Sequence, residues 1–286
     1  MKKKIIIALA VVALIIVGIA VSKSFNSNKT DVPVNNEPTV DVETTIAGIS
    51  AEESTAAVAD SSQPAGESDV TGESDVSAAE GTAPTEKADI VALYNTAANK
   101  VKVEAKKVTR NFKNTRYDTS KSVLPSALQS MANQMIEKYV KDDVEPVDYL
   151  TKEDIIENYP APKQSYSSKL TAADVTEATC IDNGKEYVIT LKLASCKNPT
   201  AGVKVGAACH IMDVTSIKAS DSSMIKKFDA IYEGCVIRCK IDKATNRITW
   251  ANFYTPFTID AVVNVLFSEL VTVAVMSYER DYTITY

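Results

Sequence analysis

The sequence predicts an α+β domain, in which N-terminal helices pack on one face of a curved antiparallel β meander. Two observations carry this. Apolar residues recur at helical spacing from about Asp89, and the period changes to two after Ser165. Helices followed by a run of strands, without alternation between them, is the α+β order. The domain is assigned to 88–286, behind an N-terminal membrane helix at 1–22 and a disordered acidic tether at 23–87.

The first helix rests on Ile90, Tyr94, Ala97, Val101, Ala105 and Val108, which share one face. Lys100, Lys102, Lys106 and Lys107 fall off that stripe and read as a solvated face. A second helix is expected from Pro125 to Lys141, with proline in the first turn and Leu128, Met131, Met135 and Tyr139 on an apolar face. Thr151-Lys152-Glu153-Asp154 has the form of a capping box and opens a short helix to about Asn158, ended by Pro160 and Pro162.

Strands are expected at Val175–Ile181 and Glu186–Ala194, joined through Asp182-Asn183-Gly184-Lys185. Asn-Gly is a strong hairpin signal because both residues tolerate positive φ. Tyr187, Ile189, Leu191 and Leu193 form one face of the second strand, and Val188, Thr190 and Lys192 the other. Asn198–Gly206 reads as a loop. Further strands are expected near Ala208–Ile217, Ala230–Ile241 and Arg247–Phe257, with a turn at Asp242–Asn246. The end, Thr258–Tyr286, reads as a strand pair broken around Ser268-Glu269. Ala261–Phe267 and Val271–Met276 are apolar in both phases, which implies burial on both faces or an apolar cavity beneath the helices.

The N-terminus supplies an address. Lys2, Lys3 and Lys4 precede an apolar run from Ile5 to Val21. That is secretory grammar, and the run is long enough to be retained as a single-pass anchor. The lysines place the N-terminus in the cytoplasm and the remainder outside. Cleavage near Ser22, after the small residue Ala20, is the alternative and would release a secreted protein. No cysteine precedes Cys180, so a lipoprotein-type acylated cysteine is missing and the helix itself is the expected anchor. The composition is in the style of a Gram-positive envelope protein.

From Lys23 to Lys87 there are 13 acidic and 3 basic residues, with no aromatic between Phe25 and Tyr94. Such a segment buries too little apolar surface to offset its ordering entropy. Gly66-Glu67-Ser68-Asp69-Val70 recurs as Gly72-Glu73-Ser74-Asp75-Val76, a duplication a spacer tolerates. Its expected reach is about 40–50 Å. The whole chain has a net charge of −6, yet the domain alone carries about +1, so the acidity belongs to the tether. A near-neutral domain lacks the basic footprint of a nucleic-acid binder.

Five cysteines, Cys180, Cys196, Cys209, Cys235 and Cys239, lie in the domain, and the odd count leaves at least one unpaired in a monomer. They read as small buried hydrophobes. The one histidine, His210, adjoins Cys209 with Asp213 nearby. Neighbours on a strand point to opposite faces, so this pair is poorly disposed for nucleophilic chemistry. Phosphate loops, serine elbows and metalloprotease motifs are missing. No catalytic, cofactor-binding or metal-ligating residue is assigned.

Three stretches, Leu93-Tyr94-Asn95-Thr96-Ala97-Ala98-Asn99-Lys100-Val101-Lys102, Leu170 to Leu193, and Tyr232 to Thr258, resemble a group of uncharacterised exported or envelope-anchored proteins of Clostridia-type Firmicutes. The resemblance covers the domain and implies neither an activity nor a site. The functional expectation is a non-catalytic binding module at the cell envelope, for a wall polymer, a lipid or other apolar ligand, or a protein. The alternatives are an envelope hydrolase built on carboxylates or His210, and an adhesive spacer domain.

Overall fold

The computed structural model describes residues 82–124, 142–212, 214–215, 225–265 and 268–286. The expected anchor, nearly all of the tether, the helix at 125–141 and Asp213 lie outside the described residues. Nine antiparallel strands dominate, with two α-helices among the described residues. The expected helices and antiparallel sheet are both present, and the sheet dominates more than the α+β expectation had it.

Helix α1 (Lys87–Glu104) buries Ile90, Tyr94, Ala97 and Val101 as the spacing predicts. It ends four residues before Val108, the last residue of the stripe. Ala105 turns extended (φ −66°, ψ 135°), and Lys106 N–H donates to Thr285 O at 2.9 Å. The chain then enters strand β1 (Lys107–Tyr117), where a reader of helical spacing expects helix or loop. Val108 is buried from this strand and not from the helix. A long ladder to the C-terminal strand is available to Lys107–Tyr117, and ladder pairing with β-branched residues outcompetes another turn of helix.

Lys102 is the second correction: it is 2% exposed. Its ammonium donates to Ala161 O (2.7 Å), Gln164 O (3.1 Å) and Tyr166 O (3.0 Å). Asn95 and Asn99 lie on the same helical face at i, i+4, i+7 spacing. Asn99 Nδ2 donates to Ser168 O (3.0 Å), and its Oδ1 accepts from Ser167 N (2.9 Å) and Ser168 N (3.0 Å). Asn95 Nδ2 donates to Leu170 O at 2.7 Å, and its Oδ1 accepts from Ser168 Oγ at 2.6 Å. One polar stripe of α1 thus satisfies the backbone of the irregular segment 161–170, which has no strand partner to do so.

Strand β2 (Val147–Tyr149) pairs the outer edge of β1, and helix α2 (Lys152–Asn158) follows. Thr151 caps α2 by accepting from Asp154 N at 3.1 Å, as its sequence predicts. Strands β3 (Val175–Asp182) and β4 (Glu186–Leu193) form the expected hairpin. Only Gly184 of the turn takes positive φ (76°). Ile189, Leu191 and Leu193 are buried while Lys192 is exposed, so the predicted phase is right.

Strand β5 (Cys196–Lys197) pairs β6 (Ile225–Tyr232), and β7 (Val236–Asp242) pairs β4. Of the region expected as a strand at 208–217, the described residues 208–212 form no strand and follow a 3-10 turn at Lys204–Ala207, while 213, 216 and 217 lie outside the described residues. Strands β8 (Arg247–Val265) and β9 (Ser268–Thr285) are the longest and pair from Trp250–Thr283 to Val265–Ser268. The sheet order is β2-β1-β9-β8-β7-β4-β3, and β6 also pairs β8. β8 thus pairs β7 through Tyr254 and β6 from Phe257 onward. The residues between, Thr255 and Pro256, face the interruption at Glu233-Gly234-Cys235. Gly234 takes φ 75° there, and proline's missing N–H falls where one neighbour's ladder is broken.

One face of the sheet is core. Ile189, Ile237, Cys239, Ile241, Ala251 and Phe253 pack with the helical residues Tyr94 and Val101 in one buried cluster. The apolar ends of β8 and β9 alternate: Ala261, Val263 and Ala274 are buried, whereas Val271 is 56% exposed. Burial on both faces, expected from their composition, is therefore not found at Val271. Among the described residues no helix is long and apolar enough to cross a membrane.

Candidate functional site

The alternation of β8 and β9 sorts chemistry onto two faces. In Tyr278-Glu279-Arg280-Asp281-Tyr282 the aromatics and the arginine share the core-facing phase, and the two acids share the other.

On the outer face, Asp281 lies beside Asn252 in register on one side and Phe112 on the other. Its carboxylate accepts from Asn111 Nδ2 (2.7 Å), Trp250 Nε1 (3.1 Å) and Asn252 Nδ2 (3.3 Å). Asn252 Nδ2 also donates to Glu279 Oε1 at 3.1 Å. Asn252 Oδ1 is buried with no hydrogen-bond partner among the described residues. These bonds lock the single tryptophan of the chain in place on the sheet. Four residues along β8, Tyr254 lies in the same phase, about 13 Å away at the strand rise, and is 36% exposed. Arg238, in register with Asn252, adds a cation at the edge of this group. The result is a face with two aromatic rings set among amides and carboxylates. Such a face offers flat apolar stacking surface beside hydrogen-bonding groups.

The core face carries an unusual rung. Arg280 is 8% exposed, with Lys113 opposite it on β1 and Phe253 opposite it on β8. The guanidinium carbon lies 5.6 Å from the centroid of Tyr278. Nη1 is buried with no hydrogen-bond partner among the described residues. Arg110, one rung along, is paired with Asp143 at 2.7 Å. Tyr282, Phe253 and Tyr159 meet edge-to-face beside the rung, with Tyr159 5.2 Å from Tyr282, and Tyr278 is tilted against Phe257 at 5.0 Å.

The Cys209-His210 pair is held near this rung by three attachments. Cys209 N donates to Val205 O (2.9 Å), Met212 N donates to the Tyr232 hydroxyl (2.8 Å), and the Thr255 side chain bonds Cys209. His210 is hydrogen-bonded to the backbone of Asn158. Burial first, then the charges of Arg280, Lys113 and Lys102, hold its imidazole well below the ordinary range, so it is neutral. Burial likewise pushes the Cys209 thiol up, leaving it protonated. A protonated thiol beside a histidine facing cations is not the nucleophile–base pair that catalysis needs. Asp213, the expected third member, lies outside the described residues.

All five cysteines are free. Cys196, Cys209, Cys235 and Cys239 are buried, in line with their reading as small hydrophobes, and Cys180 is partly exposed. Among the described residues no group of histidine, cysteine and carboxylate could hold a metal ion.

Neither face was found from the sequence. Arg280 flanked by tyrosines at i−2 and i+2 was the readable signal for the inner one. The outer one depends on Asn111, Trp250 and Asp281, which are far apart in sequence and meet through strand register. Comparison with known proteins finds no family model, no curated protein and no solved structure that matches this chain.

Proposed function

We propose that this chain is an envelope-tethered binding module, held by its N-terminal helix, whose sheet presents the Trp250 face to a cell-wall polymer. The observation that supports it is the half-buried indole fixed by Asp281, with the 36% exposed Tyr254 beyond it in the same phase of β8. A ring that is already ordered loses little entropy on stacking against a sugar ring. The half-buried amide of Asn111 and carboxylate of Glu279 suit hydroxyl groups, which both donate and accept, while buried Asn252 and Asp281 hold the face in place. The tether fits this role, since a flexible, self-repelling leash lets a domain search the wall around its anchor.

The test is co-sedimentation of the purified protein with insoluble wall polysaccharide. Trp250→Ala and Tyr254→Ala, singly and together, are expected to reduce retention while the fold persists by circular dichroism. Undiminished retention of the double variant sinks the reading. Anchoring is tested separately. Protease added to intact cells should remove the domain but leave residues 1–22 in the membrane fraction, and recovery of a soluble protein beginning at Lys23 would show cleavage instead.

A further inference from the structure

The near-neutral charge of the domain conceals a division across its outer face. Strand β8 carries Trp250, Asn252 and Tyr254 in one phase. On one side, β7 sets Lys240 opposite Trp250, Arg238 opposite Asn252 and Val236 opposite Tyr254. On the other side, β9 sets Thr283, Asp281 and Glu279 opposite the same three. The line that bears the two rings therefore runs between a basic strand and an acidic one.

Most charges near this line are already matched. Asp281 accepts from Asn111, Trp250 and Asn252, and Glu279 accepts from Asn252. Lys240 stands 3.9 Å from Glu186. Arg238 differs from them, and from the other four arginines of the chain. Arg110, Arg116 and Arg247 each hold a carboxylate, and Arg280 lies against the Tyr278 ring. Arg238 is exposed and makes no hydrogen bond, ion pair or ring contact among the described residues. Its neighbours in register, Thr190 on β4 and Asn252 on β8, are uncharged.

We infer that Arg238 reads an oxyanion, a carboxylate or phosphodiester, carried by the polymer that stacks on Trp250 and Tyr254. This rests on the polymer reading and narrows it to an anionic polymer. A polymer lying along β8 spans the about 13 Å between the rings, and the register puts Arg238 beside the middle of that span. Adjacent strands are about 4.8 Å apart, so a substituent projecting towards β7 from that midpoint comes within reach of the guanidinium. The planar fork offers paired N–H donors that match either anion. A substituent projecting the other way meets Asp281 and Glu279 instead. The face thus fixes which side of the polymer carries its charge.

The test is native affinity electrophoresis of the full-length protein in mild detergent. The gels contain polygalacturonate, poly(glycerol phosphate) or neutral dextran, and mobility is read against a polymer-free gel. At least one of the charged polymers should retard the protein more than dextran does. Retardation by polygalacturonate alone assigns the carboxylate, and by poly(glycerol phosphate) alone the phosphodiester. In a pull-down on the same polymer immobilised on beads, retention should fall between about 10 mM and about 1 M salt, as the screening length shrinks from about 30 Å to about 3 Å. Arg238→Gln should weaken binding of the charged polymer about threefold to tenfold and leave dextran unaffected. Lys152→Gln makes the same charge change at an exposed site on α2 and should alter neither.

The inference is overturned if dextran binds as tightly as both charged polymers, or if no charged polymer retards the wild type. It is also overturned if Arg238→Gln binds the charged polymer as the wild type does, or if Lys152→Gln weakens it equally, which would make the effect one of net charge. In any of these cases retention that still depends on Trp250 and Tyr254 leaves the polymer reading standing. Loss of that dependence is what removes the polymer reading itself.

Discussion

Asn99→Ala is the sharpest probe of how this domain holds its irregular segment. Asn99 makes three hydrogen bonds to the backbone of Ser167 and Ser168, all between 2.9 and 3.0 Å. Alanine removes all three and leaves one carbonyl and two amides without their partners. At about 1 kcal/mol net for each bond, the loss is about 3 kcal/mol, reduced towards 2 where water reaches the partly buried groups. For a domain of this size each kcal/mol lowers Tm by about 2–4 °C, so the expected drop is about 4–12 °C. Asn99→Asp retains the acceptor for the two amides and loses only the donor to Ser168 O, so its drop should be clearly smaller. The assay is thermal unfolding followed by circular dichroism, with urea midpoints as a second measure. If Asn99→Ala melts within about 1 °C of the wild type, or if the aspartate variant is the worse of the two, the polar stripe of α1 does not latch segment 161–170.

Two further outcomes follow from burial. Desolvation lowers Lys102 from its ordinary 10.5 to about 7. Between those values the unfolded chain binds more protons than the folded one, so stability rises with pH across that window, and the cost of the buried charge is fully present below it. The difference in urea midpoint between wild type and Lys102→Met should therefore change as pH goes from 6 to 9; a constant difference removes the assignment. The cysteines should separate by burial. In the native protein a thiol reagent should modify Cys180 first, while Cys209, pushed up by burial, and Cys235, pushed up to about 12, react only on unfolding. Rapid native modification of all five would show that this part of the core is open.

Much of the local structure was legible because short-range chemistry decides it. The Thr151 cap of α2, the Asn183-Gly184 hairpin and the alternation along Tyr187–Leu193 need only neighbours within a few residues. The extent of the sheet was underestimated because β1 is unusually polar. Lys107-Val108-Thr109-Arg110-Asn111-Phe112-Lys113 carries cations on both faces, and read by spacing alone the preceding helical stripe runs on into it. Lys102 was read as solvated because a lysine off the apolar stripe usually is. What buries it is a loop about 60 residues away that presents three carbonyls to it. The inner rung was hidden for the same reason, since Lys113 and Arg280 become neighbours only when β1 pairs β9.

The sequence by itself determined the elements whose signals are local: α1, α2 and the β3–β4 hairpin. It also determined the phase of each amphipathic strand, because side chains alternate regardless of partner. Tertiary structure decided which residues confront one another. Register placed Asp281 under Trp250 on the open face and Lys113 beside Arg280 on the closed one. Those pairings join residues separated by 31 and by more than 160 positions, respectively. Their chemistry comes from desolvation and charge proximity, which exist only once the strands are side by side.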